Sequence, residues 1–214
     1  MLCVFDVNET LLDLRALDPL FRELTGSPTA RQEWFALVVH TALTVTATGD
    51  YRDFAEIAGL AAMDTAGRYG RELTDNNLAR IGDGLRSLPA HADVDEALRT
   101  LKQAGHQVVA LTNSPLATAE AQLQNAGLAT RFDRIFSAQQ VSRLKPAPEP
   151  YRQVLSACGT TKAVMIAAHG WDLAGAAAVG METALIARDN QRPLPGRPAT
   201  YTATSLPELA AKIS

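Results

Sequence analysis

The chain opens on an apolar run, Leu2-Cys3-Val4-Phe5, that stops at a carboxylate, Asp6. No other stretch restricts the fold as much. A short continuous apolar run bounded by polar residues reads as a strand buried on both faces, and such strands belong to parallel sheets covered by helices. In open parallel sheets the reactive crevice lies outside the carboxyl ends of the strands, so an acid at that position faces a ligand and not the core. Thr10, in the turn that follows, is placed to hydrogen-bond Asp6 and hold one oxygen forward.

The rest of the chain has to supply the sheet. After Asp13, apolar residues recur at helical spacing: Leu14, Leu17, Leu20, Phe21 and Leu24 up to Thr25-Gly26-Ser27-Pro28. A second helix runs through Trp34, Phe35, Leu37, Val38, Leu43 and Val45, and shorter helical pieces fall at Phe54 to Met63 and Leu78 to Leu85. From Ala92 the pattern alternates. Strands are expected at Gln107–Leu111, Arg134–Ser137, Ala163–Ala167, Glu182–Ala187 and near Tyr201. Helices are expected at Val94–Ala104, Leu116–Ala126, Pro148–Ala157 and Leu173–Val179, with a last one capped by Ser205 three residues before Glu208. Arg192 to Pro198 reads as a surface loop. Strands separated by helices of this length predict a parallel sheet covered on both faces. The helical excursion predicts a cap at 14–86, inserted into an α/β core made of 1–13 and 87–214, with the job of closing over the crevice.

Composition excludes several classes of function. With 20 Lys+Arg against 23 Asp+Glu, the net charge is −3, and no basic run offers a nucleic-acid surface. The longest apolar candidate, Phe35 to Ala47, is interrupted by His40, Thr41, Thr44 and Thr46 and falls short of the roughly 20 residues of a membrane helix. Two cysteines, Cys3 and Cys158, lack metal-type spacing. A first strand entered at once leaves no room for a secretory leader. A cytoplasmic protein is the expectation, with no nucleic-acid or membrane partner.

Polar residues recur at the ends of the later strands. Thr112-Asn113-Ser114 follows the second strand; alone, a strand-end Thr-Asn pair is an ordinary turn. Lys145 stands in Arg-Leu-Lys-Pro-Ala-Pro-Glu-Pro-Tyr, ending at Tyr151, and an ammonium beside a crowded carboxylate keeps it ionised. Met165-Ile-Ala-Ala-His-Gly-Trp-Asp then brings His169 and Asp172. His169 either positions or deprotonates a water near neutral pH, or is a hydrogen-bonded strand-end histidine.

These blocks, in this order, resemble the motifs of the haloacid dehalogenase superfamily. D-x-N-x-T-L-L-D is similar to its first motif, Thr112-Asn113 to its second, Lys145-Pro146 with Tyr151 to its third. His169-Gly-Trp-Asp-Leu-Ala-Gly-Ala176 resembles the Trp-Asp-x-x-Gly-Ala segment of the L-2-haloacid dehalogenases. In the cap, Tyr51-Arg-Asp-Phe54 resembles that family's Tyr-x-x-Phe, and Arg31 its halide-contacting arginine; a helix-surface arginine is the other reading of Arg31. The resemblance implies a Rossmann-like parallel sheet flanked by helices, an inserted all-helical cap, and a covalent aspartyl ester on Asp6.

It further implies that Thr10 and Thr112 orient Asp6, that Arg31, Asn113 and Phe54 cradle the leaving halide, and that Asn8 and Tyr151 line the substrate site. Water would be activated near Lys145, His169 and Asp172. The substrate would be a small halogenated carboxylic acid and the assembly a homodimer. The family's phosphatases carry an acid two residues after the nucleophile and a Gly-Asp pair after the fourth strand. Here Asn8, which has no suitably acidic proton, and Ala168 stand in those places. The resemblance to dehalogenases therefore implies no metal or other cofactor. Magnesium belongs only to the alternative of a small-metabolite phosphatase on the same fold. A binding protein without turnover is the non-enzymatic alternative, kept open by Ala167 and Ala168.

Overall fold

A computed structural model describes residues 1–188 and 191–213. Six strands form one sheet in the order β3-β2-β1-β4-β5-β6: β1 Leu2–Phe5, β2 Gln107–Thr112, β3 Arg134–Ser137, β4 Ala163–Ala167, β5 Glu182–Ile186 and β6 Tyr201–Ala203. Every pairing is parallel. The chain goes from β1 to β2 on one side and returns to β4 on the other, so the strand order reverses at β1. Phe5 is in register with Ala110 of β2 and Ile166 of β4, which sets Asp6 between two diverging strand ends. That is where open α/β sheets leave a crevice.

The apolar run behaves as its composition requires. Successive side chains of a strand point to opposite faces. Cys3 and Phe5 therefore join one core layer, with Val108, Ala110, Val164 and Ile166. Leu2 and Val4 join the other, with Val109, Leu111, Met165, Tyr151 and Leu173. Helices α5 (Val94–Gln103) and α9 (Leu206–Ile213) cover the first face; α7 (Pro148–Ala157) and α8 (Gly170–Ala178) cover the second. Helix α6 spans Leu116–Asn125.

Between β1 and α5 lie four helices: α1 Asp18–Thr25, α2 Ala30–Thr48, α3 Phe54–Arg68 and α4 Asp75–Arg86. Their apolar faces continue the first core layer through Leu17, Phe21, Trp34, Val38 and Ile57. Trp34 packs against Phe21 with ring centroids 4.8 Å apart and donates its indole N–H to the Ala58 carbonyl at 2.9 Å, tying α1, α2 and α3 together.

Several boundaries differ from the sequence reading. The Leu14–Leu24 periodicity is a 3-10 turn over Leu14–Leu17 followed by α1, because Pro19 is tolerated only in a helix's first turn. Helix α3 continues to Arg68, beyond Met63, and α4 begins at Asp75, where Thr74 accepts from the Asn77 N–H. Helix α8 starts at Gly170 and not Leu173, which draws Asp172 into its first turn. Among the described residues no helix is long and apolar enough to cross a membrane. Both cysteines are free thiols.

Candidate active site

Asp6 leaves β1 with its N–H bonded to the Ile166 carbonyl at 3.0 Å. The chain then turns tightly: Leu11 and Leu12 donate back to the Val7 carbonyl, and Glu9 donates to Leu12 at 2.9 Å. Glu9 adopts a φ of 61°, a left-handed conformation that disfavours a residue with a Cβ. This turn carries Asp6, Asn8, Glu9 and Thr10 into one crevice.

On one side of Asp6 the network is closed. Lys145 Nζ donates to Asp6 Oδ1 at 2.8 Å, to Asp172 Oδ2 at 2.5 Å and to the Leu111 carbonyl at 3.0 Å, using all three protons. Tyr151 donates its hydroxyl to Asp172 Oδ1 at 2.6 Å. Thr10 donates to Asp6 Oδ2 at 2.7 Å and accepts from the Ala168 N–H at 2.9 Å. Burial opposes the charge on Asp6, yet the Lys145 ammonium and His169 hold its carboxyl below the usual range. Burial opposes the charge on Lys145 too, but Asp172 and Asp6 raise its pKa. Asp172 moves the other way, raised by burial and by the neighbouring Asp6 against the pull of Lys145. Two carboxylates that share one cation, with pKa values moved in opposite directions, suit different chemical tasks, the lowered one as nucleophile and the raised one as base.

The other side is open. Glu9 receives His169 Nε2 at 2.7 Å and Arg31 Nη1 at 3.3 Å. Arg31 also donates from Nε to Asp18 at 2.8 Å and is only 4% exposed, so it is not a surface arginine. Burial works against a charged His169, but hydrogen bonding and attraction to Asp6 and Glu9 win and push its pKa up to about 9. That shift favours the imidazolium at neutral pH, which suits positioning or donating a proton better than taking one from water. Its Nδ1 points toward Asp6 Oδ2 at 3.7 Å and has no hydrogen-bond partner among the described residues. Phe35 and Trp171 flank the ring, the latter stacked at 5.6 Å.

Asp6, Asn8, Phe54, Thr112, Asn113, Lys145 and His169 line an inner cavity of about 20 Å³. Phe35, Val39, His169 and Trp171 divide it from an outer chamber of about 500 Å³, where Glu9 and Arg31 stand. Asn8 donates to Ser114 Oγ at 3.2 Å and accepts from Gln122 at 3.1 Å, which fixes its amide at the cavity wall.

Four placements differ from the roles the resemblance implies. Tyr151 is fully buried behind Asp172 and reaches neither space, because its hydroxyl is drawn to that carboxylate. Asn113 spends both ends of its amide on the Lys145 backbone, accepting from its N–H at 2.8 Å and donating to its carbonyl at 3.4 Å. Thr112 accepts from the Ser114 N–H at 3.1 Å, while the Asp6 oxygens are taken by Lys145 and Thr10. Arg31 borders the outer chamber instead of the inner cavity. Sequence reading missed Glu9, Ser114 and Gln122. A glutamate at a left-handed turn position is the one local oddity that marks Glu9.

The donor set does not suit a divalent cation. The Lys145 ammonium already lies between the two carboxylates, and Ala168 offers no third oxygen. Among the described residues no group of three His, Cys, Asp or Glu side chains is arranged to hold a metal.

A doubly wound parallel sheet with an ionised aspartate at its switch point, a lysine bridging two acids and an inserted helical cap defines a class of hydrolases that work through a carboxylate. A family model of haloacid dehalogenase-like hydrolases matches residues 1–180, and the chain belongs to that family. It is 27% identical over 212 residues to (S)-2-haloacid dehalogenase 4A of Burkholderia cepacia, with 97% of this chain and 92% of that one covered. L-2-haloacid dehalogenase from Xanthobacter autotrophicus has the same fold, with a TM-score of 0.92, 22% identity, and 100% and 98% of the two chains covered. A dehalogenase crystallised as an intermediate complex superposes with a TM-score of 0.90 at 27% identity, over 99% of this chain and 96% of that one.

Proposed function

We propose that the protein is a hydrolytic 2-haloacid dehalogenase that converts a small 2-haloacid to the 2-hydroxy acid through an ester on Asp6. One observation carries the reading. A buried aspartate kept ionised by Lys145 faces a cavity in which the group two residues on is Asn8, held by Ser114 and Gln122. A carboxylate in that setting is a nucleophile toward carbon, and a halide leaves without needing a proton. An alkoxide leaving a phosphate would need the acid that Asn8 cannot be.

Asp6 attacks the halogen-bearing carbon and expels halide. Oδ2, hydrogen-bonded by the neutral Thr10 hydroxyl with the His169 ring farther off at 3.7 Å, keeps more nucleophilicity than Oδ1, which an ammonium contacts at 2.8 Å. Oδ1 becomes the ester carbonyl, and Lys145 stands ready for the charge that develops there when water adds. Asp172, with its raised pKa, is the base for that water. Asn113 sets the Lys145 backbone and Tyr151 sets Asp172. Phe54 and Asn8 bound the space for the substrate, and Arg31 supplies positive charge from the chamber side. Residues 14–86 act as the cap that excludes water around the 1–13 and 87–214 core.

The relative from Burkholderia cepacia is named for (S)-2-haloacids, which supports this substrate class, and the similar dehalogenase crystallised as an intermediate complex supports a route through an intermediate. The test is halide release from chloroacetate and from each enantiomer of 2-chloropropionate. Wild type should release halide, and Asp6→Asn should lose roughly ten-thousand-fold or more of that rate. An aryl-phosphate hydrolysis that stops with chelator, with no halide released, would replace this reading by the phosphatase. No turnover of either kind would leave a binding protein.

A further inference from the structure

On the open side of the site, the steps given so far use Arg31 but neither Glu9 nor His169. Yet this side is built at a cost: Glu9 holds a left-handed backbone that glycine would adopt freely, and three charged side chains are brought together at the wall of the cavity. Among the described residues its unsatisfied buried atoms are Trp171 Nε1 and His169 Nδ1, and it is Nδ1 that faces Asp6 Oδ2 at 3.7 Å. Glu9 takes the opposite ring nitrogen, so the ring cannot flip without losing a 2.7 Å hydrogen bond, and Phe35 and Trp171 restrict its tilt.

Oδ2 changes identity during the reaction. After alkylation it bridges Asp6 Cγ and the substrate carbon; when the ester is hydrolysed at Cγ, it leaves with the substrate as the hydroxyl oxygen of the product. An alkoxide is a poor leaving group unless it receives a proton as the bond breaks. We propose that His169 is the general acid of the second half-reaction, delivering its Nδ1 proton to Oδ2 as the 2-hydroxy acid departs, and that Glu9 is the positioning residue that presents that proton. The inference rests on the dehalogenase reading given above.

The steps balance. Water adds its hydroxyl to Cγ and gives its proton to Asp172. The Cγ–Oδ2 bond breaks with its electron pair moving to Oδ2, which takes the Nδ1 proton and leaves as the product hydroxyl. Asp6 remains as a carboxylic acid and returns its proton to Nδ1, while Asp172 releases the proton it took. One proton is released per halide, as hydrolysis of a carbon-halogen bond requires. The 3.7 Å separation is one a catalytic contact has before substrate binds, and it shortens in the reacting complex.

The groups that set the charge of His169 are Glu9 and Asp6 in direct view, Arg31 across Glu9, Lys145 across Asp6, and Arg188 and His40 on the wall of the same chamber. The two carboxylates are nearest, so the ring stays charged until about pH 9. Glu9→Gln removes one of them and moves deprotonation to lower pH.

The experiment separates the two half-reactions of the full-length enzyme. Wild type and His169→Gln are mixed with (S)-2-chloropropionate or chloroacetate, halide is followed through the first turnover, and intact-protein mass is read on quenched samples. His169→Gln should release a burst of one halide per site and then slow by about a hundredfold, with the ester accumulating on the protein. Its ester should also break down without the alkaline fall that wild type shows near pH 9. Glu9→Gln should keep the burst and show that fall at lower pH, by roughly one unit or more. This arm stands by itself if His169→Gln does not fold.

Turnover by His169→Gln at the wild-type rate would overturn the proposal. So would loss of the burst itself with no ester formed, or an unchanged pH profile in Glu9→Gln. If wild type releases no halide at all, the dehalogenase reading falls and takes this one with it. A wild-type burst without ester in His169→Gln sinks only the general acid.

Discussion

The two sides of Asp6 are built on different rules. Toward Lys145, Asp172 and Tyr151, the donors and acceptors are matched, the side chains are sealed from solvent, and Gly175 lets α8 approach so closely that a Cβ there would lie 2.6 Å from the Tyr151 hydroxyl. Toward Glu9, His169 and Arg31 the charges are also paired, but one ring nitrogen is left over and the group borders an open chamber. A saturated network holds a nucleophile ready; a network with one spare donor can deliver a proton. The difference shows how one buried carboxylate can be served by a rigid side and a reactive side.

The largest effect that would break this contrast comes from Lys145→Met. It leaves two buried carboxylates without their shared cation, and should cost about 3–5 kcal/mol of stability along with nearly all activity, measured by denaturant unfolding and halide release. Mild loss would mean that the closed side is not held by charge. Tyr151→Phe is the intermediate case. Removing one hydrogen bond to a charged Asp172 should cost about 1.5–3 kcal/mol, lowering activity less than Lys145→Met and leaving chamber-side substrate affinity unchanged. A change in KM alone would put Tyr151 back in contact with substrate.

The smallest effect sharpens the open side. Folding raises the His169 pKa from 6.5 to about 9, so its contribution to stability is full below the lower value and lost as pH rises through the upper one. The stability gap between wild type and His169→Gln, followed by thermal unfolding, should therefore narrow across that window. A gap independent of pH would show that the ring is not held as an imidazolium.

The same contrast marks what was legible in the sequence. Strand ends were readable because an apolar run stopping at Asp6, Thr112 or Ala167 is a local signal, and the alternation after Ala92 fixes a parallel sheet by its connection lengths. Lys145 and Asp172, in the segments that follow β3 and β4, were legible through the motifs they resemble. What escaped depends on direction in space. That Tyr151 turns away to Asp172, that Asn113 serves the Lys145 backbone, and that Arg31 pairs with Glu9 are choices made by side-chain rotamers across segments far apart in the chain. The charge state of His169 escaped for a related reason. Its shift comes from Asp6 and Glu9, more than a hundred residues earlier, whereas a histidine considered alone titrates near neutrality.

The account stands on Asp6 as the atom donor, and one measurement reaches it directly: a single turnover in heavy-oxygen water with enzyme in excess over 2-haloacid, followed by mass analysis of the peptide carrying Asp6 and of the hydroxy acid. Label in the Asp6 carboxylate and none in the product is the predicted result. Label confined to the product, with the peptide unchanged, would mean that water attacks the substrate carbon itself and would contradict the account.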